Sequence, residues 1–290
     1  MWALDETALD LVQRTWYDAP FRCGIDVVDA VFPDGIPSRA VLELYGDAAS
    51  PRSLMLQHLV ATFLLQQPNG RVYYFDHECH LDAVEMRCIL EGYAAHDEAA
   101  VVSAMQRLEL FHAPSTAVFS AELRKVHDEL LAAKTRPASV LLAVDAISSF
   151  HLIDKATALR VGEGVAPISA IYAQLKEFAR THSAFLFATK ANEVGKGWGH
   201  SEYMPSVWSS LVTKRLYLRY LSSWYTFRVE ISITKGHGRR QGRRFHPPIS
   251  RRSNCAILQT AKRAFCPLAS RTIGLSCLVR RKHEYSPLWG

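Results

Sequence analysis

Residues 46–53 have the types and spacing that suit the binding of phosphate groups. The reference pattern is G-x-x-x-x-G-K-[ST], in which backbone N–H groups and the start of a helix hold the phosphates. Gly46 and Ser53 fit the first and last positions, whereas Pro51 stands at the second glycine and Arg52 at the lysine. The sequence therefore predicts a nucleotide-binding loop that is altered at two of the positions that normally contact phosphate. The candidate binding residues are Gly46, Asp47, Ala48, Ala49, Ser50, Pro51, Arg52 and Ser53.

The two altered residues change what the loop can do chemically. Pro51 has no backbone N–H, so one phosphate contact is lost, and it biases Ser50 toward an extended conformation. Arg52 keeps the positive charge, but its planar guanidinium does not reproduce the point charge of a lysine. An alternative needs no ligand: Ser50 could cap a helix that has Pro51 in its first turn.

Two carboxylates follow apolar stretches that are typical of buried strands. Glu78 comes shortly after 72–75, and Asp145 ends 140–145. In nucleotide hydrolysis a loop hydroxyl and a carboxylate hold magnesium, and a further residue orients the attacking water. We therefore expect ATP and Mg²⁺ as cofactors, with Ser53 and Asp145 on the magnesium side and Glu78 as the catalytic residue if the site is active. The alternative is that both are plain strand-end carboxylates.

The elements that must position these residues alternate between strands and helices. Strands are predicted at 41–45, 72–75, 108–111, 140–145 and 184–189, and an antiparallel pair at 214–220 and 225–233. Helices are predicted from 51 onward, through 81–90, and at 117–133 and 168–182. This order indicates an α/β fold with a mainly parallel central sheet flanked by helices and ending in antiparallel strands. The nearby histidines His77, His80 and His151 are expected to be structural.

Charge is distributed unevenly along the chain. The net charge is +6, yet residues 236–290 hold twelve Lys and Arg against one acid, Glu284, which leaves 34 − 12 = 22 basic and 28 − 1 = 27 acidic residues in 1–235. A basic tail of this kind is typical of contact with nucleic acid or another polyanion, and the alternative is a solvated, disordered end. The DNA-binding candidates are Lys196, Arg239, Arg240, Arg243, Arg244, Arg251 and Arg252.

Composition argues against several classes of protein. The six cysteines show no C-x-x-C pairing, so we expect reduced thiols of an intracellular protein instead of a zinc site or a disulfide framework. No apolar run has the length of a membrane span. The first residues are acidic, unlike a secretory signal. We therefore expect no membrane association.

The order of these motifs resembles the ATPase core of the RecA-type recombinases, and within them the eukaryotic recombinase paralogues. The resemblance covers about residues 20–235, and the stretches 75–82 and 145–154 are similar to one paralogue in particular. The motifs that carry it are 23–29, 35–37, 46–53, 74–78, 141–148, 186–189 and 213–219.

This resemblance implies a RecA-like P-loop core in a nuclear subunit that assists homologous recombination repair of DNA double-strand breaks. It implies other recombinase paralogue subunits and single-stranded or branched DNA as partners. It makes Glu78 the catalytic glutamate and Asp145 the magnesium-side aspartate, and it places 162–164 and 192–205 in loops that face DNA. We divide the chain into an N-terminal arm (1–20), a core domain (21–235) and a basic, disordered tail (236–290).

The chain also departs from this family. The strand after Phe187 ends in Thr189-Lys190-Ala191, where relatives place a glutamine that couples nucleotide to DNA. No clear polymerisation motif precedes the core, so long filaments are not expected. Trp16 and Phe21 precede the core, and we expect the arm to dock on a neighbouring paralogue, although for either ring taken singly packing on the chain's own sheet is favoured.

Three hypotheses stay open: a subunit with little or no ATP hydrolysis, a working DNA-dependent ATPase, and a RecA-fold protein without a DNA role. In the third hypothesis the tail is merely disordered or reflects an error in the gene model.

Overall fold

The computed structural model describes residues 20–46, 50–133, 137–161, 166–191, 202–221 and 226–232, and the statements below concern these residues. They form a seven-stranded sheet with the order β3-β2-β4-β5-β1-β6-β7. Six strands are parallel, and β7 runs antiparallel to β6. The strands are β1 (Val41–Gly46), β2 (Gly70–Asp76), β3 (Leu108–Phe111), β4 (Ser139–Asp145), β5 (Phe185–Ala191), β6 (Lys214–Leu221) and β7 (Thr226–Ser232).

Eight helices connect the described strands. They are α1 (Asp26–Asp29), α2 (Arg52–Gln66), α3 (Ala83–Tyr93), α4 (Glu98–Gln106), α5 (Thr116–Ala132), α6 (His151–Val161), α7 (Ala166–Thr181) and α8 (Ser206–Leu211). The predicted α/β fold with a mainly parallel sheet and a terminal antiparallel pair is therefore confirmed.

Both faces of the sheet are covered, as the burial of alternate residues of β4 in two separate hydrophobic clusters shows. Leu141 and Ala143 belong to one hydrophobic cluster and Leu142 and Val144 to the other, because successive side chains of a strand point to opposite faces. All four are fully buried. A strand with apolar residues on both faces needs cover on both sides, which explains the near-continuous apolar run.

The first cluster is built on α2, whose inner side chains pack against the sheet. Phe63 of this helix contacts the rings of Phe21 and Phe185 edge to face, with centroid distances of 5.3 and 5.7 Å. Phe21 is 1% exposed, and its ring packs in the chain's own core, as expected for a single aromatic residue. Docking of the arm itself on a partner stays a prediction. Trp16 lies outside the described residues.

The end of α2 is fastened by Arg107. Its guanidinium donates hydrogen bonds to the carbonyl oxygens of Leu64, Gln67 and Gly70 at 2.6, 2.7 and 2.9 Å. These are carbonyls at the C-terminal end of the helix and in the turn that follows, where no intrahelical donor is available. Arg107 thereby holds together the end of α2, the turn after it and the first residue of β2.

Four of the described helices were not predicted: the short α1, and α4, α6 and α8. In α4 only Val101 and Ala104 are buried, so its apolar spacing carries little signal. In α6 the exposed Ile153 and Leu159 blur the pattern, since apolar residues lie on the outer face as well. The apolar spacing of Leu9, Val12 and Trp16 also predicts a short helix at 5–16, and these residues lie outside the described ones.

No helix in the described part of the chain is long and apolar enough to span a membrane. Among the same residues, Cys23, Cys79 and Cys88 are free thiols.

Candidate nucleotide site

Parallel strands bring their carboxyl ends to one edge of the sheet, and the predicted site residues meet there. Asp76 pairs with Asp145 at the ends of β2 and β4, and Gly46 pairs with Ala191 at the ends of β1 and β5. Ligands of open α/β sheets bind at this edge.

Asp145 is the centre of the site. Its carboxylate is 1% exposed and accepts hydrogen bonds from three hydroxyls, those of Ser53 at 3.0 Å, Tyr74 at 3.1 Å and Thr189. Burial, followed by the neighbouring Asp145 carboxylate, raises the pKa of Tyr74, so its hydroxyl keeps its proton and donates. The structure thus brings together Ser53 and Asp145, the two residues predicted for the magnesium side.

The phosphate loop begins at a glycine that the fold itself requires. A Cβ atom at Gly46 would overlap with the carbonyl oxygen of Leu218 on β6 and with the side chain of Ser50. The next three predicted binding residues, Asp47, Ala48 and Ala49, lie outside the described residues.

The interpretation of Ser50 as a helix cap is wrong. The N-cap of α2 is Pro51, and no side chain caps the helix. The Ser50 carbonyl accepts the N–H of Arg52 at 2.9 Å, while its buried Oγ has no hydrogen-bond partner among the described residues.

Arg52, at the lysine position, folds back onto the loop. Its Nη1 donates to the carbonyl oxygen of Gly46 at 2.6 Å, and the residue is 7% exposed. The guanidinium therefore joins the two ends of the loop through a charge-assisted hydrogen bond. The positive charge of Arg52 was evident from the sequence, whereas its hydrogen bond to the Gly46 carbonyl was not predicted.

Glu78, the predicted catalytic carboxylate, lies at the rim of the site with its side chain 31% exposed. Its Oε1 accepts a hydrogen bond from Ser149 Oγ at 3.0 Å, and its Oε2 lies 3.5 Å from Nδ1 of His80. The turn that carries Glu78 is fixed by Asp76, whose carboxylate accepts the backbone N–H groups of His80 and Leu81 at 3.1 and 2.8 Å.

His77 and His151 have structural roles. The backbone N–H of His77 donates to the Asp145 carbonyl at 2.6 Å, and its ring nitrogen Nδ1 lies 2.9 Å from the Ala146 carbonyl. Burial lowers the pKa of His77, which keeps the ring neutral. His151 is buried with Nε2 3.1 Å from the Tyr203 carbonyl. The His77 ring ties the end of β2 to the residue after β4, and the His151 ring ties the start of α6 to the segment before α8.

A buried network of four charges lies next to the site and was not predicted. Glu43 accepts from Arg215 Nε at 2.8 Å and lies 3.4 Å from Lys190 Nζ, and both side chains of this second pair are 0% exposed. Glu202 binds Lys190 at 3.1 Å and Arg215 at 2.7 Å. Trp208 Nε1 donates to the other oxygen of Glu43 at 2.6 Å.

This network gives Lys190 a role within the fold. Its ammonium is held between the carboxylates of Glu43 and Glu202. The sequence does hold a signal: Glu43 is a charged residue inside the apolar run 41–45, and buried charges are paired.

The donor set fits a hard cation. Ser53 and Asp145 offer a hydroxyl and a carboxylate 3.0 Å apart, and oxygen atoms of this kind are the ligands that Mg²⁺ prefers. Among the residues that the structure describes, no group of three or more His, Cys, Asp or Glu could hold a metal ion. A cation would therefore depend on the Ser53 hydroxyl as well.

The predicted DNA-binding residues are not placed. Lys196 and the six arginines from Arg239 to Arg252 lie outside the described residues, as do the loop residues 162–164 and 192–201.

Comparison with known proteins agrees with the motif order. No protein-family model matches the chain. The chain is 25% identical to the DNA repair protein XRCC2 of Mus musculus over 202 residues, which cover 61% of this chain and 70% of the mouse protein. This similarity confirms the predicted resemblance to a recombinase paralogue. In fold the chain has the mainly parallel α/β sheet of a RecA-like core, and in sequence it is similar to the paralogue XRCC2.

Proposed function

We propose that this chain is a nuclear recombinase paralogue subunit that assists DNA repair by homologous recombination and hydrolyses little or no ATP. The similarity to a protein named for DNA repair supports the role, and the RecA-like sheet supports the class of machinery. We keep the division into an arm (1–20), a core (21–235) and a basic tail (236–290) as part of this proposal.

The contact of Arg52 with Gly46 is the observation that carries the proposal for weak catalysis. A catalytic loop aims its cation and its backbone N–H groups at the phosphates. Here the cation donates to the loop's own carbonyl at 2.6 Å, and Pro51 contributes no N–H. The backbone N–H at position 51 is thus absent, and the Arg52 guanidinium is engaged by Gly46, although both groups would be needed to stabilise the charge that develops on the phosphate. We therefore expect the rate of ATP hydrolysis to be reduced more than the affinity for nucleotide.

Nucleotide binding itself is supported by the opposite side of the site. Ser53 and Asp145 would hold Mg²⁺, which on binding neutralises phosphate charge. Tyr74 and Thr189 orient the Asp145 carboxylate through their hydroxyls. Glu78 is held by Ser149 at the rim, where it could orient a water only with a nucleotide in place.

We further propose other recombinase paralogue subunits and single-stranded or branched DNA as partners. The excess of twelve basic residues over one acid in 236–290 supports the DNA contact, because phosphate neutralisation needs no folded surface. An interaction subunit of this kind would act through its partners and not through its own turnover.

Steady-state ATP hydrolysis by the purified full chain, with and without single-stranded DNA, tests the proposal. We expect phosphate release equal to that of the Glu78→Gln variant under both conditions. Turnover that DNA stimulates and that Glu78→Gln abolishes would refute the subunit with little hydrolysis and would establish the DNA-dependent ATPase. The Ser53–Asp145 contact is the feature that favours this second candidate.

A further inference from the structure

His80 reaches into the cation side of the site. Its Nδ1 lies 3.2 Å from Ser53 Oγ, 3.5 Å from Glu78 Oε2 and 3.9 Å from Asp145 Oδ2. One imidazole nitrogen is thus within 4 Å of an oxygen from each of three residues. Two of these residues, Ser53 and Asp145, form the predicted magnesium side.

The backbone of His80 is fixed on both sides, so this position is built into the fold. Its N–H donates to the buried Asp76 carboxylate at 3.1 Å, and its carbonyl accepts from Gln57 Nε2 of α2 at 3.3 Å. Cys79, directly before it, has a φ of 54°, which turns the chain sharply after β2. The imidazole is therefore presented to the start of α2 by two independent contacts.

The spacing of the three donors suits one shared cation. Neighbouring ligands in an octahedron with bonds of about 2.1 Å lie about 3.0 Å apart. Ser53 Oγ and Asp145 Oδ1 are 3.0 Å apart, and Ser53 Oγ and His80 Nδ1 are 3.2 Å apart. The distance from His80 Nδ1 to the other carboxylate oxygen of Asp145, Oδ2, is longer at 3.9 Å, and the His80 side chain is 46% exposed and has room to adjust.

We propose that His80 Nδ1 is a third protein ligand of the cation in this site, together with the Ser53 hydroxyl and the Asp145 carboxylate. Imidazole is a ligand of transition metals, whereas Mg²⁺ takes oxygen ligands almost exclusively. The site should therefore favour Mn²⁺ or Co²⁺ over Mg²⁺. The inference rests on the proposed nucleotide site for its location, but not on hydrolysis, DNA or a partner.

Titration of the full chain with Mn²⁺ alone, in the absence of nucleotide, tests this assignment. The free Mn²⁺ signal in electron paramagnetic resonance gives the affinity, and spin-echo modulation from a ¹⁴N nucleus reports a directly bound imidazole. We expect the His80→Ala variant to lose that modulation and to bind Mn²⁺ at least about tenfold more weakly. Replacing a residue that only hydrogen-bonds a metal ligand already lowers metal affinity by about tenfold or more, so loss of a ligand itself should cost at least as much. The His96→Ala variant, with its exposed ring outside the site, should match the unmodified chain.

A second variant, His80→Gln, keeps the side chain's size if His80→Ala fails to fold, and the same two losses are expected. Unchanged or tighter Mn²⁺ binding by a folded His80 variant would overturn the proposal. Unchanged affinity would mean that the imidazole does not bind the cation, and tighter binding would mean that it competes with the cation for the other ligands. Absence of the ¹⁴N modulation in the unmodified chain would do the same. A chain that hydrolyses ATP would contradict the proposed function, yet it could still bind Mn²⁺ through His80.

Discussion

Ser53 Oγ donates a hydrogen bond of 3.0 Å to Oδ1 of Asp145, 92 positions further along the chain. The two groups meet because α2 starts where β1 ends, and β1 and β4 end at the same edge of the sheet. A hydroxyl at a helix start thereby contacts a buried carboxylate. The two residues proposed for the cation side are thus already in contact, and the altered residues Pro51 and Arg52 lie on the proposed phosphate side.

Restoring the phosphate side should strengthen nucleotide binding. We expect the double variant Pro51→Gly with Arg52→Lys to bind ATP at least about tenfold more tightly. It regains a backbone donor and a lysine charge, and one hydrogen bond to a charged group contributes about 1.5–3 kcal/mol. Isothermal titration calorimetry with Mg²⁺ present measures the change.

The Arg71→Lys variant, at an exposed residue, controls for a general effect of replacing arginine by lysine. Its affinity for ATP should equal that of the unmodified chain. Equal affinity of the double variant and the unmodified chain would show that the loop residues do not limit binding.

The buried charges should respond strongly to the loss of one member. Lys190→Met leaves Glu43 with one cation instead of two, and breaking a buried pair costs about 3–5 kcal/mol. We expect the free energy of unfolding in urea to fall by that amount. Lys176→Met, an exposed change on α7, should alter it by less than about 0.5 kcal/mol.

The double variant Lys190→Met with Glu43→Leu should recover part of this loss, since it removes the uncompensated carboxylate. A Lys190→Met chain as stable as the parent would mean that the network is held together by Arg215 alone.

Stability should fall as the pH decreases from about 6.5 to about 4. Burial lowers the pKa of His58 to about 4, whereas the unfolded chain keeps the ordinary value of 6.5. Between these values the unfolded state binds a proton that the folded state does not, so this residue destabilises the fold by up to about 1.4 kcal/mol per pH unit. His77, whose pKa is also lowered by burial, acts in the same direction.

Urea unfolding at pH 7 and at pH 4.5 measures this dependence. His58→Gln keeps a polar group beside Tyr93 and should lose less stability at the lower pH than the parent. The exposed His96→Gln should behave like the parent. An identical pH dependence in His58→Gln would rule out His58 as a source.

Removal of residues 1–20 should leave the core intact and weaken the recovery of a partner subunit. Phe21 stays in the deletion variant, and its buried ring contacts Phe63 and Phe185. Circular dichroism checks the fold, and co-purification with a co-expressed recombinase paralogue measures the partner. Full recovery of the partner would exclude the arm as the interface.

Truncation after Lys235 should remove most of the affinity for DNA. The tail adds twelve basic residues, and each neutralised phosphate releases counterions, so affinity should fall steeply with salt in the full chain and weakly in the truncated one. Binding of labelled single-stranded DNA at two salt concentrations measures both quantities. Equal affinities and salt slopes would assign the contact to other residues, and Lys196→Ala would then be the variant to measure.

Much of the fold was predictable because its signals are local. The apolar run that became β4 and the carboxylate at its end appear within seven residues, and the parallel-strand rule then brings Asp145 to the edge where Ser53 lies. The antiparallel pair of β6 and β7 followed from alternation over a short distance.

The unpredicted parts depend on partners that are distant in sequence. Arg215 and Glu43 are 172 positions apart, and no periodicity links them. The turn of Arg52 toward Gly46 needs the coordinates of the loop, because the same side chain could equally extend toward a phosphate. The position of His80 depends on Asp76 and Gln57, which hold its backbone from two elements.

The packing around Gly46 bears on how the motif at 46–53 is used as a sequence signature of nucleotide binding. The missing side chain of Gly46 is a steric need of the packing between β1, β6 and Ser50, whether or not a nucleotide ever binds. The packing of the sheet is therefore enough to require a glycine at this position. A glycine at the first position of the motif accordingly has little diagnostic weight for activity.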